Sequence, residues 1–158
     1  MNIKCTDNSD QVKAEMQAAV ERALEKCGLV AEGYAKRLCP VEAGNLRNSI
    51  THATAGRPGQ TLKYTKEMQE SGAQPSKMQI TSDAENTVYI GSAVFYAPYV
   101  ELGTGKYYPG GRPTPWKYQD AKGNWHWTHG NPAKPFLKPA VADHKQTYRK
   151  IIEGEMNG

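Results

Sequence analysis

His126 and His129 stand three apart beside Trp125 and Trp127 and are the most metal-like pair in the chain. On a strand, residues three apart point to opposite faces, and no neighbouring Cys or acidic pair completes a tetrahedron of ligands. The pair therefore reads first as solvated or stacking imidazoles, and no metal or other cofactor is expected. A Cys–His nucleophile would need Cys5, Cys27 or Cys39 beside His52, His126, His129 or His144, and no Cys motif of a known nucleophile type surrounds any of the three. Gly103-Thr104-Gly105 and Pro109-Gly110-Gly111-Arg112 are glycine-rich, but neither GxxxxGK(S/T) nor GxGxxG after a strand is present, so a phosphate cradle is unsupported. Glu101 is the one acidic residue in an otherwise apolar stretch. It is either the partner of a base such as Arg47 or a catalytic carboxylate, and the lack of a second carboxylate nearby favours the partner.

The richest chemistry is a mixture of cations and aromatic rings: Lys106, Tyr107, Tyr108, Arg112, Trp116, Lys117, Tyr118, Lys122, Trp125 and Trp127. Such a mixture suits stacking on single-stranded nucleic acid and equally suits an interface with aromatic anchors. No RRM, KH or helix-turn-helix signature accompanies it, so the interface ranks first and a non-specific nucleic-acid-binding module stays as the rival. Charge is concentrated there. Residues 1–54 balance seven basic against seven acidic side chains, whereas 103–138 hold six basic (Lys106, Arg112, Lys117, Lys122, Lys134, Lys138) against Asp120 alone, within a net +4 overall. A segment of that sign can face phosphates.

These residues must be carried by a scaffold. Asp10 is placed to cap a helix whose apolar positions Val12, Met16, Ala19, Ala23, Cys27, Ala31, Tyr34 and Leu38 step by three and four. Gly28 and Gly33 predict a bend or break within it, and Pro40 its end near Leu38. Leu46 and Ile50 mark a short second helix running into a strand around Ile50 to Thr54. Residues 55–76 lack a sustained period and read as a long surface loop. Alternation at Met78, Ile80 and then Val88, Ile90 predicts an antiparallel hairpin turning at 83–86. Pro98 fits the first turn of a short helix stopped by Gly103. Two aromatic runs flanking Asp120 to Asn124 predict a hairpin arm, and Val141, Tyr148 and Ile151 or Ile152 a closing helix.

The totals agree with one small fold. A chain of 158 residues suits one core. Its mean hydropathy of −0.73 is polar, but three Trp and nine Tyr argue against wholesale disorder. No run approaches the roughly 20 apolar residues of a membrane helix, and MNIKCTDNSD lacks the layout of a secretion signal, so a soluble protein without membrane contact is expected. The three cysteines read as free thiols, with Cys27 and Cys39 as small core fillers.

Four stretches, in order and spacing, carry a resemblance: CPVEAGNLRNSI (39–50), VYIGSAVFYAPYVELGTG (88–105), GRPTPWKYQDAKGNWHWTHG (111–130) and AKPFLKPA (133–140). Together they resemble the tail-component, head–tail joining or tail completion family of long-tailed double-stranded-DNA bacteriophages, over roughly residues 10–152. The compound signature rests on Gly44, Leu46, Arg47, Gly91, Tyr96, Tyr99, Glu101, Gly103, Pro135, Phe136 and Pro139. Where many relatives carry Thr before Gly44 this chain has Ala43, which removes a hydroxyl cap.

The resemblance implies an α+β fold, with a small mostly antiparallel sheet packed against a long N-terminal helix and a C-terminal helix. It also implies a single domain over 1–158, with core segments 10–102 and 133–154 and an extended arm over 103–132. The implied role is a virion protein of the neck, made in the bacterial host cytoplasm, that catalyses no reaction. It would assemble as a homo-hexameric ring between the tail tube protein and the head connector or stopper protein, passing double-stranded DNA without sequence specificity. In that setting Gly91 and Ser92 end a strand, Tyr96 and Tyr99 pack the short helix on the sheet, and Gly103 reverses the chain into the arm. Lys106, Tyr107, Tyr108, Arg112, Trp116, Lys122 and Trp125 are the expected assembly or lumen surface, shared with the loop at 55–76.

Overall fold

The computed structural model describes residues 7–41, 44–55, 57–58 and 84–157. Cys5, Ala43, almost all of the loop at 55–76 and the first strand of the hairpin expected at 77–91 lie outside them.

Helix α1 runs unbroken over Ser9–Leu38, 30 residues and so roughly 45 Å. Asn8 takes the capping position and Asp7 Oδ1 accepts the Ser9 N–H at 2.9 Å. Asp10 falls in the first turn instead of capping it. Cys39 follows in extended conformation, as Pro40 dictates. The buried face is Ala19, Ala23, Cys27, Gly28, Ala31 and Ala35, so small side chains let neighbouring elements approach closely. Val12, Met16 and Leu38, expected on that face, are 51%, 54% and 48% exposed, because the body covers only the middle of the helix.

Helix α2 (Asn45–Ser49) begins after Gly44, which at φ 75° occupies left-handed space that favours glycine. It runs directly into strand β1 (Ile50–Thr54). β1 pairs antiparallel with β2 (Val88–Ser92), Ile50 opposite Ser92 and Thr54 opposite Val88. Ser49 Oγ donates to the Leu46 carbonyl at 2.6 Å and lies 2.5 Å from Ser92 Oγ, which locks the helix-to-strand corner to the end of β2.

The two-stranded sheet lies on α1. His52 reaches across, its Nδ1 2.7 Å from Glu32 Oε2 and its Nε2 3.3 Å from Glu25 Oε1. Lys36 pairs with Glu32, and Arg57 with Glu25. The imidazole fits because Gly28 lies under it; a Cβ there would sit 2.4 Å from His52 Cδ2. Gly28 is therefore a packing slot and not the predicted bend. Gly33 faces open space, and the helix continues through it.

Helix α3 (Ala97–Leu102) carries Pro98 in its first turn and ends at Gly103, as predicted. Strands β3 (Trp116–Gln119) and β4 (Trp125–Thr128) form the predicted hairpin. The expected single closing helix is two, α4 (Leu137–Ala142) and α5 (Lys145–Asn157), separated at Asp143 and His144. The break lets α5 turn antiparallel along α1. His144 stacks on Tyr34 at 3.4 Å, the Cys27 thiol faces the Tyr148 carbonyl, and Glu155 pairs with Arg22 and Lys26. Tyr148 and Ile151 are half-buried, whereas Val141 and Ile152 remain 46% and 43% exposed.

The core is small: Ala35, Cys39, Leu46, Ile50, Val94, Ala97, Phe136 and Ala140, flanked by Tyr34, Ile90, Tyr96, Val100 and Leu137. Phe136 and Ile50 are its largest fully buried side chains. The architecture is α+β, a small antiparallel sheet against a long N-terminal helix and a C-terminal helix.

The two glycines of α1 predict opposite substitution effects. Gly28→Ala is expected to lose about 1–3 kcal/mol by pushing His52 out of its slot, and Gly33→Ala to gain up to about 1 kcal/mol, both read by urea denaturation. A second expectation concerns Glu32. Burial pushes its carboxyl up, but hydrogen bonds and charge from Lys36 and His52 outweigh that and leave it below its ordinary value. Its contribution is thus present above the unfolded value and lost as pH falls through the folded one. The stability deficit of Glu32→Gln at pH 7 should close as pH drops below about 4.3, measured by denaturation across a pH series.

Candidate functional site

The arm begins where α3 ends. Glu101 Oε2 accepts the N–H groups of Phe136 (2.7 Å) and Leu137 (2.9 Å), and Oε1 that of Lys138 (2.9 Å). These are orphan donors at the start of α4, so the carboxylate caps a helix 35 residues away in sequence. The partner expected for Glu101 was a base such as Arg47; its partners are backbone amides.

From this clamp the two sides of the arm run as a ladder. Lys134 N–H donates to the Val100 carbonyl at 2.8 Å, Thr104 N–H to Asn131 at 2.9 Å and Lys106 N–H to His129 at 2.9 Å. Such close approach requires glycine: Gly103 has φ 79° and a Cβ on it would lie 2.8 Å from the Ala133 nitrogen, while one on Gly105 would lie 2.1 Å from the His129 carbonyl oxygen. The reversal expected at Gly103 is present.

At the tip, Asp120 organises the turn. Its Oδ1 accepts the N–H groups of Lys122 and Asn124 at 2.9 and 2.8 Å, and its Oδ2 lies 2.9 Å from His126 Nε2. The hydrogen bond from His126, with those from Asn124 and Lys122, holds the Asp120 carboxyl below its ordinary value against slight desolvation. His126 is committed to this turn and to a tilted contact with Tyr118. His129 lies past the end of β4. Among the described residues no group of three or more His, Cys, Asp or Glu is placed to hold a metal.

The register divides the hairpin into two faces. Trp116 opposes Thr128 and Tyr118 opposes His126 on one; Lys117 opposes Trp127 and Gln119 opposes Trp125 on the other. Trp116 is half-buried toward the stem, beneath the Arg112 guanidinium at 5.9 Å. The opposite face is open: Trp125 and Trp127 are each 66% exposed, with the Lys117 ammonium 5.0 Å from the Trp127 ring. Lys106 lies 5.0 Å from the Tyr107 ring, and Tyr107 and Tyr108 are about half exposed. Lys122 is exposed in the turn. The seven expected surface residues thus lie along one arm and do not converge on a cleft. Lys117 and Trp127, which lie outside the expected surface set, belong to this open face, and the alternation in WHWT puts Trp125 and Trp127 on one side.

The signature residues fall into two groups. Leu46, Tyr96 and Phe136 pack in or against the core, Gly91 is buried opposite Thr51, Pro135 precedes Phe136, and Pro139 lies in the first turn of α4. Tyr99, expected to pack α3 on the sheet, is 59% exposed; Ala97 and Val100 hold that helix instead. Tyr99 lines a cleft of about 460 Å³ with Pro40, Asn45, Thr104, Asn131 and Lys134. That lining carries no pair of acid and base groups for proton transfer. Cys27 and Cys39 are buried, and burial pushes both thiols up, partly offset at Cys39 by the Arg47 charge. This is the environment of inert thiols. Among the described residues no helix is long and apolar enough to cross a membrane.

Comparison with known proteins adds one match. The family model described as HK97-gp10-like, "Bacteriophage HK97-gp10, putative tail-component", matches residues 4–103. No curated protein and no solved structure matches the chain.

The clamp makes a testable demand. Glu101→Gln leaves one amide oxygen facing three donors and is expected to cost about 1–3 kcal/mol, with hydrogen-exchange protection lost at the amides of Phe136, Leu137 and Lys138. Arg47→Gln should leave those amides protected.

Proposed function

The chain belongs to the HK97-gp10-like family of phage tail components, and from that premise we propose that it forms a ring at the head–tail junction of a tailed phage or prophage. The ring, of six copies, joins the tail tube protein to the head connector or stopper protein and lets double-stranded DNA pass. The observation that carries this reading is the arm. It is a hairpin with two indoles exposed side by side, and among the described residues none of its side chains belongs to the hydrophobic core. Burying such rings against another protein surface is the usual way they are used, and a ring subunit needs two different complementary patches. The role is structural, with no reaction catalysed, and the protein resides in the virion neck.

Within such a ring Lys106, Arg112 and Lys122 supply exposed positive charge; Lys106 lies over Tyr107 and Arg112 over Trp116, and among the described residues none of the three side chains forms a salt bridge. Facing the lumen, they would favour passage of DNA without reading its sequence. The rival reading, a non-specific nucleic-acid-binding module, uses the same residues and predicts tight, steeply salt-dependent binding by the isolated chain.

Mass spectrometry of purified tails is expected to find about six copies per tail, and immunogold label is expected at the head-proximal end. Absence from tails, or label along the tube or at the distal tip, rejects the assignment. Replacing Lys106, Arg112 and Lys122 together by Gln should leave tail assembly intact and reduce genome retention or infectivity; unchanged infectivity removes the lumen role.

A further inference from the structure

Two surfaces of this chain are exposed and complement each other. Residues 7–18, nearly the first three turns of α1 and its cap, are exposed throughout. They continue the apolar stripe of the helix through Val12 and Met16, 51% and 54% exposed, just before Ala19 where burial begins. Over residues 7–21 the charges are Asp7, Asp10, Glu15 and Glu21 against Lys13, net −3. Asp7 and Asp10 are accounted for by the helix N-terminus they flank. Glu15 lies farther along, where that explanation ends, next to the Val12–Met16 stripe, and accepts a hydrogen bond from exposed Gln11; Glu21 lies on the opposite side of the helix from that stripe.

The arm is the counterpart. Over residues 103–132 the charges are Lys106, Arg112, Lys117 and Lys122 against Asp120, net +3. Its open face presents Trp125 and Trp127, with Lys117 on β3 opposite Trp127. Side chains two apart on a strand repeat at about 6.6 Å, and side chains four apart on a helix at about 6 Å, so two indoles match the rise from Val12 to Met16. A thioether against an indole is a favourable contact, and the flanking charges are opposite in sign.

We propose that the β3–β4 hairpin of one subunit docks on the exposed amino-terminal turns of α1 of the next, with Trp125 and Trp127 packed on Val12 and Met16 and Lys117 facing Glu15. The occupant of each surface is a second copy of this chain, and the proposal rests on the ring reading, for which it supplies the two unlike patches. Because the contact is head-to-tail, it propagates around a ring and does not stop at a two-fold dimer.

The test uses the full chain in sedimentation velocity over a wide concentration range, with variants V12D/M16D and W125A/W127A. Unchanged helix content and melting temperature by circular dichroism establish that both variants are folded. The wild-type chain is expected to self-associate, and each variant to do so at least about 30-fold more weakly, as loss of an anchoring hot spot implies. An equimolar mixture of the two variants keeps one intact arm and one intact helix end, and should give a dimer of one of each and nothing larger. Variants that assemble like the wild-type chain, or a mixture that stays monomeric, overturn the docking while leaving the ring in place. A wild-type chain that is monomeric at every concentration also overturns the docking, and the ring is then judged by its copy number and position in purified tails. Variants that assemble normally but lose binding to single-stranded DNA assign the indole face to nucleic acid and overturn the proposal.

Discussion

The Glu101 carboxylate is the constraint on which the rest hangs. It takes three backbone N–H groups at the start of α4 and thereby sets Phe136, fully buried, into the core beside Ile50. Everything between Glu101 and Phe136 is the arm and its stem. Closing an excursion of that length costs conformational entropy that grows only slowly with length, but the closure must be made somewhere, and charged acceptors on amides are among the stronger hydrogen bonds. With the clamp in place, the ladder from Val100–Lys134 to Lys106–His129 extends outward from a fixed end.

A second constraint is the scarcity of large core residues. The α1 face that meets the sheet and α5 is made of Ala, Gly and Cys, which brings the elements close but buries little apolar area per residue. The chain's large rings are spent elsewhere: among the described residues, Tyr89, Phe95, Tyr99, Tyr107, Tyr108, Tyr118, Trp125 and Trp127 all stand more than two-fifths exposed. Scattered apolar side chains on a surface need no special account. Two indoles side by side on a projecting hairpin, at the end of a stem built by closely spaced glycines, do call for one. The His52 bridge between Glu25 and Glu32 is the polar complement to this thin core, tying β1 to α1 where hydrophobic contact is limited.

Much of the scaffold was legible from residue patterns, since local rules produced it. The stop of α1 before Pro40, the Pro98 start and Gly103 stop of α3, the α2-to-β1 passage at Ile50 and the β3–β4 hairpin all follow from turn and helix-end chemistry within a few residues. What escaped was set across long separations. Gly28 looked like a weak point in a helix, and only the distant His52 reveals it as a slot. Glu101 is one carboxylate in an apolar run, and nothing nearby announces that its partners are the amides of residues 136–138. Tyr99 shares a short amphipathic helix with Val100, and which of the two meets the core depends on how the arm stem packs. Asp143 and His144 separate α4 from α5, and His144 there stacks on Tyr34, a partner far away in sequence. The indole face is the opposite case: strand alternation alone puts Trp125 and Trp127 on one side, although the expected surface set held only Trp125.

The order of the arm bears on what it is for. A two-stranded hairpin alone is marginal in water, yet this one is braced at both ends, by the stem at its base and by the Asp120 bonds to Lys122, Asn124 and His126 at its tip. Binding by a flexible basic tail must meet the cost of ordering it each time. A braced hairpin has met that cost in folding, so more of the contact energy of Trp125 and Trp127 remains available for association. Fixed spacing also favours a partner with matching fixed spacing, such as one face of a helix, over a polymer whose bases adjust to whatever rings are offered. The bracing thus argues for a protein surface as the arm's counterpart, and it does so independently of charge, because a loose segment with the same lysines would attract phosphate equally well.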